Sequence, residues 1–164
     1  MDTLLAFCKW LERSPLGTEV RESLWLFPVI ETVHLLGMVL LVGTIAVLDL
    51  RMLGLAMPRE SVSQLAERLL PWTWAGFAVM LMTGSLLFTS SAAKTYIHNP
   101  SFQIKMLLIF LAGMNALVFH LTVYRRVAAW EFAPVAPLGA RIAGGLSLLL
   151  WISVVAAGRW IGFV

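Results

Sequence analysis

The stretch LWLFPVIETVHLLGMVLLVGTIAVL, Leu24 to Leu48, decides the fold. It is an apolar run of about 25 residues, long enough to cross the hydrocarbon core of a bilayer as a helix. Near its centre stand a carboxylate, Glu31, and an imidazole, His34. Each ionisable group at such a depth costs about 3 kcal/mol even on lenient insertion scales, so a chain that keeps two of them uses them or satisfies them internally. Three residues apart, they share one helix face, and the next turn of that face carries Gly37 and Met38. A bare backbone beside an imidazole leaves room for a flat ligand or for a second helix. Glu31, His34, Gly37 and Met38 are therefore the first site candidates.

Composition agrees with a membrane setting. Of 164 residues, 60% are hydrophobic and 13% charged, against roughly 25% charged in soluble domains. The net charge of +3 comes from Lys and Arg gathered at the ends of apolar runs. Membrane spans are flanked in this way, and no basic block suits a nucleic-acid backbone, so nucleic acid is not an expected partner. A single cysteine, Cys8, rules out an intrachain disulfide. The first residues lack the basic n-region of a cleavable signal, so the N-terminus is expected to stay on the chain.

The chain reads as one all-α membrane domain over residues 1–164. Leu4, Leu5, Cys8 and Leu11 lie opposite Asp2, Lys9 and Glu12 at helical spacing, which predicts an N-terminal amphipathic helix over 1–16. It lies in the membrane interface or caps the bundle as a lid, and Ser14-Pro15-Leu16-Gly17 ends it. The first span covers about 23–50 and closes at Asp49 and Arg51. Ser61 to Arg68 reads as a short amphipathic helix, and Pro71 opens a second span over about 71–90, with Gly76 and Gly84 as small faces for close helix contact. Asn99-Pro100 is an N-cap followed by proline in the first turn, launching a third span over about 100–125 that stops at Arg125 and Arg126. After Pro134 and Pro137 a fourth span covers about 139–162, with Gly144, Gly145, Ala156 and Gly158 as packing positions. Four spans with short connections predict an antiparallel up-down bundle.

Charge is divided evenly between the two ends, six Lys and Arg at each. Arg51, Arg59, Arg68, Arg125, Arg126 and Arg141 fall at one end of the spans, and Lys9, Arg13, Arg21, Lys94, Lys105 and Arg159 at the other. The first group crowds short connections near span ends, which favours both termini outside the cytoplasm of a bacterial inner (plasma) membrane.

The third span completes the constellation. Met106, Phe110, Gly113, Leu117 and His120 follow one another at steps of three or four and form one stripe. With His34 and His120 both toward the bundle axis, two neutral imidazoles and nearby glycines offer what a b-type haem needs, namely axial nitrogens in a dry slot. His120 lies on the order of 10 Å further along the bundle, at about 1.5 Å rise per residue. Unless helix tilt absorbs that offset, His34 ligates alone or with Met38 or Met114. Glu31 is then expected to accept the imidazole N–H that does not face the iron. Arg125 and Arg126 are favoured over Lys105 as propionate partners. A di-iron site would need the Glu-x-x-His motif twice, and the scattered methionines read better as core filling than as a Cu(I) site.

Those residues also carry a resemblance. His34 in a glycine-bearing span that ends at Arg51, Pro71 opening a span with Gly84, and Lys105 leading an apolar run to His120 look like the HemJ-type protoporphyrinogen oxidases, the related CopD-like membrane domains and four-helix bacterial inner-membrane proteins of that broad group. The resemblance covers roughly the first three spans. It implies His34 as haem ligand, Lys105 as a basic residue at the haem or substrate edge, and His120 as a second site residue. Glu31 departs from it, standing where the HemJ pattern has a lysine. The reading is thus a membrane haem b protein used in electron transfer with a quinone or another redox protein, as a monomer or homo-oligomer. The alternatives are a CopD-like copper or small-solute transporter and a protoporphyrinogen oxidase-like enzyme.

Overall fold

The computed structural model describes residues 2–91, 96–133 and 135–163, without the side chains of Asp2, Leu4 and Leu5. Part of the connection expected over Thr89 to Asn99, with Lys94 in it, and Pro134 lie outside the described residues. The elements in order are α1 (Asp2–Glu12), α2 (Pro15–Glu22), α3 (Leu26–Met52), α4 (Val62–Ser91), α5 (Pro100–Thr122), a 3-10 segment (Tyr124–Ala129), α6 (Leu138–Trp160) and a last 3-10 turn (Ile161–Phe163). No strand occurs among the described residues. The four long helices α3 to α6 are apolar and long enough to cross a membrane, as the hydrophobic runs predict. Only 6% of the α5 window and 22% of the α6 window is buried within the chain. Their outward apolar faces suit lipid tails rather than a protein core.

The α5 start follows the sequence expectation. Asn99 is extended, and its side-chain oxygen accepts from the N–H groups of Ser101 at 2.9 Å and Phe102 at 3.2 Å. Pro100 occupies the first turn, where its missing N–H removes no helical bond. Two other boundaries differ. Ser14 to Gly17 ends α1 but also begins α2, because the Ser14 hydroxyl caps the Gly17 N–H at 3.1 Å with Pro15 at the first helical position. The Arg21 guanidinium then donates to the Glu12 and Ser90 carbonyls, tying α1 and α2 to the end of α4. Cys8 is buried there. The second difference is Pro71, which lies inside one continuous helix, α4, instead of starting a separate span. It removes a single backbone bond to the Glu67 carbonyl, a local cost of ~3 kcal/mol that packing of a 30-residue helix outweighs.

The end of α3 is built around a buried charge. Arg51, expected to close the span, stands in its last turn and is wholly buried. Its guanidinium donates to the carbonyls of Glu60 at 2.8 Å, Glu131 at 3.2 Å and Ala133 at 3.2 Å. The Glu131 carboxylate in turn accepts from the hydroxyls of Ser61 and Ser63. One buried cation thus fastens both connections to the end of α3.

Glycines set the α3–α4 seam. A Cβ on Gly37 would lie 2.7 Å from Val79 Cγ1, and one on Gly76 would lie 2.8 Å from the Leu41 backbone nitrogen. Gly37 therefore admits a neighbouring helix and leaves no gap for a flat ligand. The same seam pairs Thr73 with Thr44 at 2.9 Å and His34 with Thr83 at 2.8 Å. Helix α5 packs on α6, where Asn115 donates to the Ala143 carbonyl at 2.9 Å. Its backbone stands off from α3 and α4, and it meets them through long side chains such as Phe102, which stacks on Phe88.

Because the obstruction at Gly76 is backbone, which cannot swing aside, Gly76→Ala is expected to destabilise by about 1–3 kcal/mol. Gly113→Ala, where a Cβ meets nothing within 4 Å, should leave stability unchanged. Thermal unfolding in detergent distinguishes them, and equal effects of the two would contradict the seam.

Candidate functional site

His34 is half-buried on α3, and its Nδ1 lies 2.8 Å from the Thr83 hydroxyl of α4. That hydroxyl also lies 2.6 Å from the Val79 carbonyl, which can only accept. A hydroxyl has one proton. If it is donated to Val79, Thr83 is the acceptor and His34 Nδ1 the donor, which is the Nδ1–H form of the imidazole. Its other nitrogen, Nε2, then carries an in-plane lone pair with no partner among the described residues. Gly84 lies against the ring, since a Cβ there would be 3.3 Å from His34 Cε1.

Lys105 of α5 supplies charge. It is half-buried, and its stem runs over Gly158 of α6, whose Cβ would lie 3.3 Å from the Lys105 ammonium nitrogen. The ammonium is close enough to His34 for the two to interact electrostatically. It has no carboxylate partner among the described residues.

Beside this pair sits an aromatic cluster. Tyr96 lies 5.3 Å from Phe102 and 5.9 Å from Phe88, with Phe88 and Phe102 stacked at 5.6 Å. Burial pushes the Tyr96 phenol above its ordinary value, and the Glu31 carboxylate adds to the shift by opposing a second negative charge. Glu31 is exposed and neighbours Tyr96, so it does not take the expected place as acceptor of the His34 N–H. Thr83 holds that place.

The structure does not bring His34 and His120 together. With Lys105 beside His34, His120 lies about 22 Å further along α5 at about 1.5 Å rise per residue. Two axial ligands of one iron are each ~2 Å from it, so this pair cannot share a haem. His120 is exposed and stacks on Tyr124 at 5.2 Å. Arg125 and Arg126 lie beyond it, exposed on the 3-10 segment, which removes them as propionate partners for a group at His34. Gly113 faces open space, and Met114 is exposed. Met38 is half-buried on the same helix as His34. His98 is exposed, as its loop position predicts. Among the described residues no three His, Cys, Asp or Glu side chains converge on a point.

Thr83 and Tyr96 are not among the residues that the sequence singles out, and Gly84 stands there only as a helix-contact position. The signal for Thr83 lies on α4, where Thr73, Gly76 and Thr83 recur at helical spacing as small or polar interruptions in an apolar run. Such a stripe marks the face that meets another helix.

Residues 7–164 match a family of unknown function, DUF6644, and the chain belongs to that family. Neither a curated protein nor a solved structure matches it significantly.

Of the two tyrosines, Tyr124 is also raised, by burial first and then by Glu67 and Glu131. A Tyr124→Phe background isolates Tyr96. In it, the phenolate absorbance is expected to appear at higher pH than for free tyrosine, and Glu31→Gln should move it part of the way back down. An unmoved titration would separate Glu31 from Tyr96.

Proposed function

We propose that this chain is a multi-pass membrane protein that binds haem b through His34 and uses it in one-electron transfer. The observation that carries the reading is the hydrogen bond between His34 Nδ1 and Thr83, which fixes the ring and leaves Nε2 without a partner among the described residues. Metal-bound histidines are oriented in this way, by a bond from the other ring nitrogen. Lys105 offers a cation for one propionate carboxylate at the same depth. The haem, when bound, supplies a reversible one-electron couple. The residues of this chain supply the rest: Thr83 fixes the tautomer, Gly84 keeps the ring edge clear, and the apolar helices exclude water. With His120 remote, His34 is the one residue of this chain that would hold the iron. A quinone arriving from the lipid is the electron partner of matching solubility.

The architecture that goes with this is an antiparallel up-down bundle. Contacts of His34 with Thr83, Leu41 with Gly76 and Thr44 with Thr73 run in opposite senses along α3 and α4. The start of α5 meets the end of α6 through Asn99 and the Ile161 carbonyl at 3.1 Å. Exposed Arg59, Arg68, Arg125, Arg126 and Arg141 at one end favour that end as cytoplasmic, which leaves both termini outside.

Haemin titrated into the detergent-purified protein tests the reading. A Soret band that shifts on dithionite reduction is expected, at one haem per chain. His34→Ala should abolish it with helix content intact, and His120→Ala should keep it. Lys105→Gln should weaken retention about tenfold, the size of one charge-assisted hydrogen bond of ~1.5 kcal/mol. No pigment in the wild type, or full pigment in His34→Ala, would reject the haem reading and leave transport as the function to pursue.

A further inference from the structure

At the opposite end from His34, the chain turns from α5 through the 3-10 segment into α6. The turn borders a shallow, open groove of about 600 Å³ lined by Leu121, Thr122, Val123, Arg125, Arg126, Trp130 and Pro137. Its size suits a small molecule or a lipid headgroup. The lining has two sides. Leu121, Val123 and Pro137 are apolar and continue the outer surface of the spans, whereas Arg125 and Arg126 are exposed cations. Neither arginine has an acceptor among the described residues, and no carboxylate lines the groove. The nearest acids are engaged or lie to one side: Glu131 accepts from Ser61 and Ser63, and with Glu67 it acts on Tyr124. Trp130 packs by one edge on the cluster of Met52, Ala136 and Ala140 and is half open to the groove. Tryptophan at the end of a span marks headgroup depth.

We propose that this groove is a binding site for an anionic phospholipid, with the phosphate held by Arg125 and Arg126 and the upper acyl chain lying along Leu121, Val123 and Pro137. Charge complementarity selects the headgroup, because guanidinium groups match phosphate geometry and basic pockets between spans take anionic lipids. The apolar half of the lining selects a lipid over a free anion. An anionic lipid there also weights this end toward the cytoplasmic leaflet. The site is independent of the haem reading.

Native mass spectrometry of the full-length protein in detergent, titrated with phosphatidylglycerol or with phosphatidylcholine of the same chains, tests the site. The wild type is expected to bind the anionic lipid at least tenfold more tightly. Arg125→Gln with Arg126→Gln should bring the ratio near one, and Arg59→Gln with Arg68→Gln, at the same end but outside the groove, should leave it unchanged. Leu121→Trp, which fills the apolar half and keeps both arginines, should weaken both lipids, and it serves if the double variant does not fold. Inorganic phosphate should not displace the lipid. The proposal is overturned by equal binding of the two lipids, by a preference that survives the double substitution, or by one lost equally in the Arg59 and Arg68 variant. It is also overturned if phosphate displaces the lipid, which would make the groove an anion site. Arginines that only offset the negative end of the α5 dipole would give the first of these results.

Discussion

One proton on the Thr83 hydroxyl orders the region around His34. The Val79 carbonyl can only accept; with the proton donated there, the threonine oxygen accepts from the imidazole. The histidine ring is thereby held in one orientation, with Nε2 left without a partner among the described residues. A bare imidazole in an apolar span would choose between tautomers and rotamers, and any ligand would have to bear the cost of fixing it. Here the orientation is in place beforehand.

The bond exists only because α3 and α4 approach closely. Gly37 and Gly76 let Val79 and Leu41 come within a distance that any side chain would block, and the Thr73–Thr44 bond holds the register one further step along. Without a hydrophobic drive between helices in lipid, such small-residue contacts and interhelical hydrogen bonds carry association. At the far end Arg51 does comparable work through three backbone carbonyls. Buried there, it costs desolvation, and the acceptors must stay in place to offset it. The two ends are therefore fixed by different means, and α5 with α6 forms a second pair that leaves the His34 region bounded by Lys105 and the Tyr96 cluster.

Much of the fold was legible in the sequence because span length and hydropathy are strong signals. The four apolar runs, the Asn99 cap and the Gly76 contact all follow from local chemistry. Pro71 was misread because proline usually starts or ends a helix, whereas a long packed helix absorbs one missing bond. Arg51 closes its span as expected, but its burial was not legible because the rule for charges at span ends carries no information about carbonyls eighty residues away in the chain. The site was legible in part. His34 and Lys105 stand out as ionisable groups in apolar runs, but the partner of His34 is a neutral threonine on another helix, and no spacing within α3 points to it. Glu31 was the nearer and more conspicuous candidate, and helix geometry turned it toward Tyr96. His120 shares a stripe with Phe110 and Gly113, yet stripe membership fixes direction and not depth, and depth is what separates it from His34.

The central claim is that His34 is a neutral imidazole with its proton on Nδ1 and a free Nε2. Nitrogen NMR of histidine-labelled protein in nanodiscs, in a His98→Gln and His120→Gln background that leaves one imidazole, reads this directly. The account predicts one protonated and one unprotonated ring nitrogen, with the proton assigned to Nδ1, and loss of this pattern to two exchanging nitrogens in Thr83→Val. A proton found on Nε2, or a spectrum unaffected by the loss of Thr83, would contradict it.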